Sequence, residues 1–184
     1  MSTEMIENTD GAMQQRASTR GQRVGGATQP NTEIARAMSM ALADSYGAFL
    51  VTQNYHWNVE GPLFKPLHEL FEEQYREMFT AIDDVAERLR TLGFYAPGTF
   101  EEFEQLSSIP RPDGTRDGEQ MVKNLIEIHR VVAGSFRQVA ELAGDTRDVA
   151  TEDLAIQRVA THEKNIWMLR SIVGGRQRME TQPN

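Results

Sequence analysis

The chain has 184 residues, a net charge of -8 and a pI of about 5.1, and it contains no cysteine. This length suits one well-buried domain, and the lack of cysteine excludes a disulfide framework and any thiolate metal site. An acidic body of this kind repels DNA and attracts cations. No apolar run has the length of a signal-peptide core or a membrane span, so we expect a cytoplasmic protein with no membrane partner.

Residues 1–30 are rich in Gly, Ser, Thr and Gln and poor in large apolar groups, which predicts a flexible N-terminal tail. Within it, Arg16, Arg20 and Arg23 form a basic patch. A solvated leader is the simpler interpretation. The alternative is an arm that contacts DNA by neutralising phosphates, a task that arginine would perform alone because the tail contains no lysine.

Four long helices are predicted from apolar residues that recur at helical spacing. They cover about 31–58, 63–92, 118–143 and 149–173.

The ends of these helices follow from capping residues. Asn31 or Thr32 is expected to cap the first helix, and Gly93 is expected to end the second. Gly144 is expected to stop the third helix and Gly174 the fourth.

The segment between Gly93 and about Asp117 is a long connection with three prolines, and within it Thr99 is expected to cap a short helix that ends at Leu106. A long crossover between the second and third of four helices indicates an all-α four-helix bundle. It argues against a simple up-down bundle, in which tight loops join all neighbouring helices. We therefore predict a bundle domain over 31–174, preceded by the tail and followed by a flexible C-terminal tail over 175–184.

Polar residues on the second helix form two pairs along one edge of its apolar stripe. His68 and Glu72 are four residues apart, as are Asp83 and Glu87, so each pair can point two ligand groups at one place. Nineteen residues separate His68 from Glu87, roughly 28 Å along a helix, so one ion cannot contact both pairs of one chain. Two copies of the helix packed antiparallel about a two-fold axis would bring the pairs together in two equivalent sites.

His56 precedes the corner at Gly61 and is expected to lie near His68. One or two imidazoles with two or three carboxylates suit Fe(II). The competing interpretation is that these carboxylates form a solvated helix face and that the histidines only pack, which is the usual situation for any single pair.

His129 and His162 lie in the third and fourth helices, and we interpret both as packing or surface residues. No Glu-x-x-His sequence occurs in the chain. Bundles that hold a di-iron centre inside one chain use that motif on two helices, so its absence favours a site shared between chains.

The segment that begins His56-Trp57-Asn58-Val59 resembles the signature of the Dps family, the ferritin-like mini-ferritins. The resemblance continues without a gap through the corner at Gly61 and the second helix. The matching residues there are Gly61, Phe64, Leu67, His68, Phe71, Glu72, Tyr75, Asp83, Ala86, Glu87 and Arg88. Many family members have Asp where this chain has Glu72, whose carboxylate reaches one methylene further.

The resemblance implies a ferritin-like subunit of a hollow dodecamer that acts as a ferroxidase. Iron would bind between two chains, at His56, His68 and Glu72 of one and Asp83 and Glu87 of the other. Hydrogen peroxide, or oxygen more slowly, would oxidise Fe(II), and ferric iron would be stored in the cavity, which would protect DNA from oxidative damage.

Roles are also predicted for residues outside the ligand set, for Trp57 as a hypothesis from its position beside His56 and for two acids from the resemblance. Trp57 would intercept stray oxidising equivalents, or it would simply pack in the interface. Asp148 and Asp153 would line a pore through which iron enters, or they would serve only as acids at a helix N-terminus.

Two other functions remain open from the sequence. The first is a nucleoid-associated protein that condenses DNA, with iron chemistry secondary. The second is a bundle that assembles but has lost its metal chemistry.

Overall fold

The computed structural model describes the backbone of residues 29–180 and the side chains of residues 31–174. This part of the chain forms α1 (Gln29–Asn58), α2 (Phe64–Thr91), α3 (Phe100–Leu106), α4 (Gly118–Thr146) and α5 (Val149–Glu180). The predicted all-α class is confirmed, and so is the short helix within the crossover. The predicted domain limits of 31–174 remain a prediction, and Arg16, Arg20 and Arg23 lie outside the described residues.

The second helix ends as its sequence predicts. Gly93 has a φ of 88°, its N–H donates to the carbonyl of Arg90, and the N–H of Phe94 donates to the carbonyl of Leu89. These two bonds are those of a Schellman motif, which favours glycine because of its positive φ. At the start of the short helix, Thr99 and Glu102 exchange side-chain and backbone hydrogen bonds in a capping box.

Three predicted helix ends are wrong. Helix α1 begins at Gln29, before the predicted cap, and a proline is tolerated in the first turn of a helix because its missing N–H would have no partner there. Helix α4 continues past Gly144 to Thr146, and Arg147 takes the left-handed position with a φ of 61°. Helix α5 continues past Gly174 to Glu180, since an interior glycine weakens a helix by about 1 kcal/mol without ending it.

Two contacts between helix ends show the relative directions of α2, α4 and α5. The start of α2 lies beside the start of α4, where the N–H of Glu60 donates to the carbonyl of Arg116. At the other end, Arg88 near the end of α2 contacts Asp148 at the start of α5. Helices α2 and α4 are therefore parallel, α2 and α5 are antiparallel, and the crossover runs the length of the bundle.

Helix α2 buries one continuous stripe against the core. The buried residues recur at helical spacing and are Leu67, Phe71, Gln74, Met78, Ala81, Ile82, Val85 and Leu89. The opposite edge of α2, with Asp83 and Glu87, is exposed. Burial of this stripe therefore fixes which edge of the helix faces outward.

The crossover is fixed to the bundle by the buried carboxylate of Asp44. Its oxygens accept hydrogen bonds from the hydroxyls of Ser107 and Ser135, at 3.1 and 2.6 Å, and from the N–H of Ser108 at 2.6 Å. Within the described ranges, no helix has both the length and the apolar composition needed to span a bilayer.

Candidate metal centre

His56 at the end of α1 and His68 in the first turns of α2 face each other across the corner at Gly61, where φ is 95°. The Nδ1 of each imidazole donates to the backbone carbonyl of the other residue, with both distances 2.8 Å. The rings are stacked with their centroids 3.8 Å apart. Because a carbonyl only accepts, both Nδ1 atoms carry a proton, which leaves Nε2 as the nitrogen of each ring whose lone pair can bind a metal.

Glu72 lies one turn beyond His68 on α2 and is half-buried. Its Oε1 accepts from Arg76, with 2.8 Å to Nε and 2.7 Å to Nη2. The hydrogen bond from Arg76 lowers the pKa of Glu72 and outweighs the opposing effect of burial, and the charge of Arg76 lowers the pKa further. Glu72 is therefore an ionised carboxylate next to the two histidines.

Asp83 and Glu87 lie further along α2, and both are exposed. Eleven residues separate Glu72 from Asp83, roughly 16 Å along the helix axis, so these carboxylates cannot reach the imidazoles of their own chain. Within the described residues of one chain, no three His, Asp or Glu side chains are grouped so that they could hold a metal ion. The structure thus places His56 and His68 in contact, with Glu72 one turn further along α2, and it leaves Asp83 and Glu87 apart.

Large apolar side chains are exposed on and beside the edge that carries these residues. Four of them are about half exposed or more, namely Leu50 at 51%, Trp57 at 63%, Phe64 at 47% and Phe79 at 60%. Exposed aromatic groups in such number on one region are typical of a protein interface.

Two residues near the site were not anticipated from the sequence. Arg76 holds Glu72, and the ring of Tyr75 lies 5.3 Å from that of His56 in an edge-on arrangement. The position of Arg76 four residues after Glu72 is a sequence signal for an ion pair on a helix. Tyr75 gives no comparable signal beyond its place in the resemblance.

The predicted pore residues have different surroundings. Asp148 caps α5, since its carboxylate accepts from the N–H and the hydroxyl of Thr151, and it also pairs with Arg88 at 2.6 Å. Asp153 is exposed and accepts from Gln157 at 2.7 Å. The pore role of both acids remains a prediction, and the capping role of Asp148 is observed.

His129 and His162 are fully buried in the bundle, so the interpretation of both as packing residues is confirmed. They also contact each other through Nδ1 atoms 2.8 Å apart, which the sequence did not indicate.

Comparison with known proteins agrees with this fold. A family model described as a ferritin-like domain matches residues 35–179. A low temperature-induced protein of Nostoc is 38% identical over 144 residues, which cover 77% of this chain and 80% of that protein. DNA protection during starvation protein 2 of Bacillus anthracis is 32% identical over 143 residues, which cover 78% of this chain and 98% of that protein.

Two solved structures give the same result. Dps from Thermosynechococcus elongatus is 30% identical with a TM-score of 0.76, and the match covers 79% of this chain and 93% of that one. The Dps protein of Vibrio cholerae, described as a member of a broad superfamily of ferritin-like diiron-carboxylate proteins, is 29% identical with a TM-score of 0.77 over 85% and 98% of the two chains.

The fold and these matches define a ferritin-like four-helix bundle. Within that class, the chain belongs to the Dps family.

Proposed function

We propose that this protein is a ferroxidase that oxidises Fe(II) with hydrogen peroxide, or with oxygen, and stores the ferric product inside a hollow dodecamer in the cytoplasm. The observation that carries the proposal is the pair of Nε2 lone pairs on His56 and His68, fixed beside the ionised Glu72. The partner chain would supply Asp83 and Glu87 to complete the site.

The donor set suits iron as the substrate. Imidazole nitrogens and carboxylate oxygens bind Fe(II), and the carboxylates stabilise the ferric product because it carries more positive charge. Two Fe(II) ions give one electron each to one hydrogen peroxide, which takes up two protons and leaves as two water molecules. This two-electron reaction releases no hydroxyl radical, which would protect nearby DNA.

The exposed apolar residues support an interface at this edge. A second copy related by a two-fold axis would cover Trp57 and Phe79, and the antiparallel arrangement of two α2 helices would place the His68 end of one beside the Asp83 end of the other. Trp57 would then lie within the interface, beside His56 in sequence, where it could also intercept oxidising equivalents.

Complementation between chains tests the shared site. His68→Ala and Asp83→Ala homo-oligomers should each lack fast peroxide-dependent iron oxidation. In mixed assemblies, a dimer with one chain of each kind carries one intact site and one doubly damaged site. Random mixing should therefore restore about a quarter of the fast phase.

The controls for this experiment are a chain that carries both substitutions and the size of each assembly. The doubly substituted chain, mixed with either single variant, has no intact site and should restore no activity. Cages that form normally but show no recovery in the mixture of the two single variants would rule out a site shared between chains.

DNA binding is the second candidate function, because several relatives are named for the protection of DNA. It would depend on the N-terminal tail, since the chain as a whole is acidic. Gel shifts at several salt concentrations should show a strong salt dependence for the full chain and a loss of binding when Arg16, Arg20 and Arg23 become Gln. Unchanged binding by the substituted chain would exclude the arginine arm.

A further inference from the structure

The interior of the bundle contains a polar cluster that the proposed iron site does not use. Its members are Gln74 and Glu77 on α2, His129 on α4, and Arg158 and His162 on α5. The side chain of Glu77 is 41% exposed and lies at the rim of the cluster. Arg158 is only 7% exposed, Gln74 is 2% exposed, and both histidines are fully buried. Such groups are costly to bury, so their arrangement calls for a physical explanation.

Arg158 provides the positive charge at the centre of this cluster. Its Nη1 donates to Oε1 of Glu77, and its Nη2 donates to Oε2 at 3.0 Å. The same Nη2 lies 3.5 Å from Nε2 of His162. One cationic nitrogen thus faces a carboxylate oxygen and an imidazole nitrogen, the two groups that bind divalent metals in proteins.

The direction of the hydrogen bonds fixes the form of His162. A guanidinium only donates, so Nε2 of His162 presents its lone pair toward Arg158, and its Nδ1–H donates to Nδ1 of His129 at 2.8 Å. Burial lowers the pKa of both imidazoles, and the nearby charge of Arg158 lowers both further. A neutral imidazole with a free lone pair on one nitrogen and a donated proton on the other is the form that ligates a metal.

Gln74 adds an oxygen on the same side of α2. It precedes Glu77 by three residues, and His162 follows Arg158 by four, so the antiparallel helices place Gln74 at the level of His162. Neither polar atom of the Gln74 side chain has a hydrogen-bond partner among the described residues. An unpartnered amide oxygen this deeply buried is available to a ligand.

We propose that Arg158 is a built-in cation that keeps divalent metal out of a site formed by Glu77, His162 and Gln74 between α2 and α5. Without the charge of Arg158, this site would bind one divalent cation per chain. Carboxylate, imidazole and amide oxygen together suit manganese, iron, cobalt or zinc. This inference is independent of the proposed ferroxidase site.

The test uses Co(II) as a spectroscopic probe in full-length protein that also carries His68→Ala and Asp83→Ala. These two changes abolish metal binding at the proposed interface site, so that Co(II) bound there does not add to the number of ions measured per chain. Adding Arg158→Ala should create about one additional Co(II) site per chain, with visible d–d absorption from a site that contains nitrogen and oxygen ligands. Adding Arg158→Lys instead should create no additional site, because lysine keeps the charge.

Two comparisons locate the new site. Combining Arg158→Ala with His162→Leu should remove the additional Co(II), whereas combining it with Glu163→Gln, an exposed acid one residue further on, should leave it in place. A folded Arg158→Ala protein without additional Co(II), or a Lys variant that gains it, would overturn the proposal. If Arg158→Ala does not fold, Co(II) should restore its helical circular dichroism, and failure to restore it would also count against the proposal.

Discussion

The Nδ1 of His56 and the backbone carbonyl of His68 are 2.8 Å apart, and the reverse pair has the same separation. Each histidine therefore has one nitrogen that joins two segments of the fold and a second nitrogen that would bind iron. The first joins the end of α1 to the start of α2, and the second faces the proposed iron site. Substitutions that preserve one of these nitrogens and remove the other can separate the two tasks.

His56→Asn should separate stability from iron chemistry. The asparagine amide can donate to the carbonyl of His68 from nearly the position of Nδ1, but it offers no nitrogen at the position of Nε2. We expect the free energy of unfolding to stay within about 1 kcal/mol of the wild-type value, since one hydrogen bond contributes about that much. The fast phase of peroxide-dependent iron oxidation should disappear, as measured by stopped-flow absorbance.

The matched control is His56→Ala, which removes both nitrogens. It should lose the fast phase as well, with a further loss of stability from the unpaired carbonyl of His68. Fast oxidation by His56→Asn would show that Nε2 of His56 is not a ligand.

Gly118 is required by close packing at the first residue of α4. A Cβ added there would lie 2.7 Å from Cδ1 of Leu67, which is itself fully buried. Gly118→Ala should therefore destabilise the protein by about 1–3 kcal/mol through overpacking. Gly134, in the same helix, has nothing within 4 Å of an added Cβ, so Gly134→Ala should stabilise the fold by about 1 kcal/mol.

Chemical unfolding followed by circular dichroism measures both changes on the same helix. Both substitutions replace glycine with alanine in α4, and they differ in what surrounds the added Cβ. Equal changes in the free energy of unfolding would therefore contradict the packing argument. A loss of stability in Gly134→Ala would indicate that this position contacts another chain in the assembly.

Asp148 is expected to matter for stability regardless of any pore. Burial alone would raise the pKa of its carboxyl, but hydrogen bonds from Thr151 and the charge and hydrogen bond of Arg88 outweigh burial and lower it. Asp148→Ala should cost about 2 kcal/mol, because it removes the cap of α5 and leaves a half-buried arginine without its partner. Thermal unfolding should show the loss.

Asp145 provides the control for that change, because it is an exposed acid in the last turn of α4, three residues before Asp148. Asp145→Ala should change stability by less than about 0.5 kcal/mol. If Asp148 also lines a pore, Asp148→Ala cages should take up iron more slowly even at temperatures where they remain folded. Iron uptake at the wild-type rate in folded cages would limit Asp148 to its capping role.

The helices, and the placement of His68 and Glu72 on one edge of α2, can be predicted from short-range sequence patterns. The apolar stripe of α2 predicts which edge faces outward, and the motif at Thr99 predicts the short helix correctly. The four-residue spacing of His68 and Glu72 places both groups on that edge. These features depend on neighbours within one or two helical turns.

Other features depend on contacts between distant segments, and the sequence alone did not reveal them. The end of α4 at Arg147 follows from packing with α5, where the carboxylate of Glu152 lies 3.3 Å from the position of a Cβ on Gly144. The hydrogen bond from His162 to His129 spans thirty-three residues. Neither residue has a polar neighbour at helical spacing on its own helix that predicts this pairing, so only the packed bundle shows it.

The buried histidine pair should make the fold sensitive to acid in a defined range. Burial, together with the charge of Arg158, lowers the pKa of His129 from 6.5 to about 4. The unfolded chain therefore takes up a proton first as the pH falls below 6.5, and the folded chain follows only near 4. The buried neutral imidazole of His129 therefore makes its full contribution to the free energy of unfolding above pH 6.5. This contribution, on the order of 3 kcal/mol for His129 alone, is lost as the pH falls from 6.5 to about 4.

His129→Asn should remove this loss, because Asn can accept the bond from His162 through its side-chain oxygen and does not titrate. Urea unfolding at pH 7.5 and pH 5 measures the difference, and the other three histidines are common to both proteins, so their contributions largely cancel. Carboxylates with lowered pKa values, such as Glu72 and Asp148, lose their contribution only below about pH 4.5 and do not interfere. If His129→Asn lost as much stability as the wild type between pH 7.5 and pH 5, the acid sensitivity would have to come from groups other than His129.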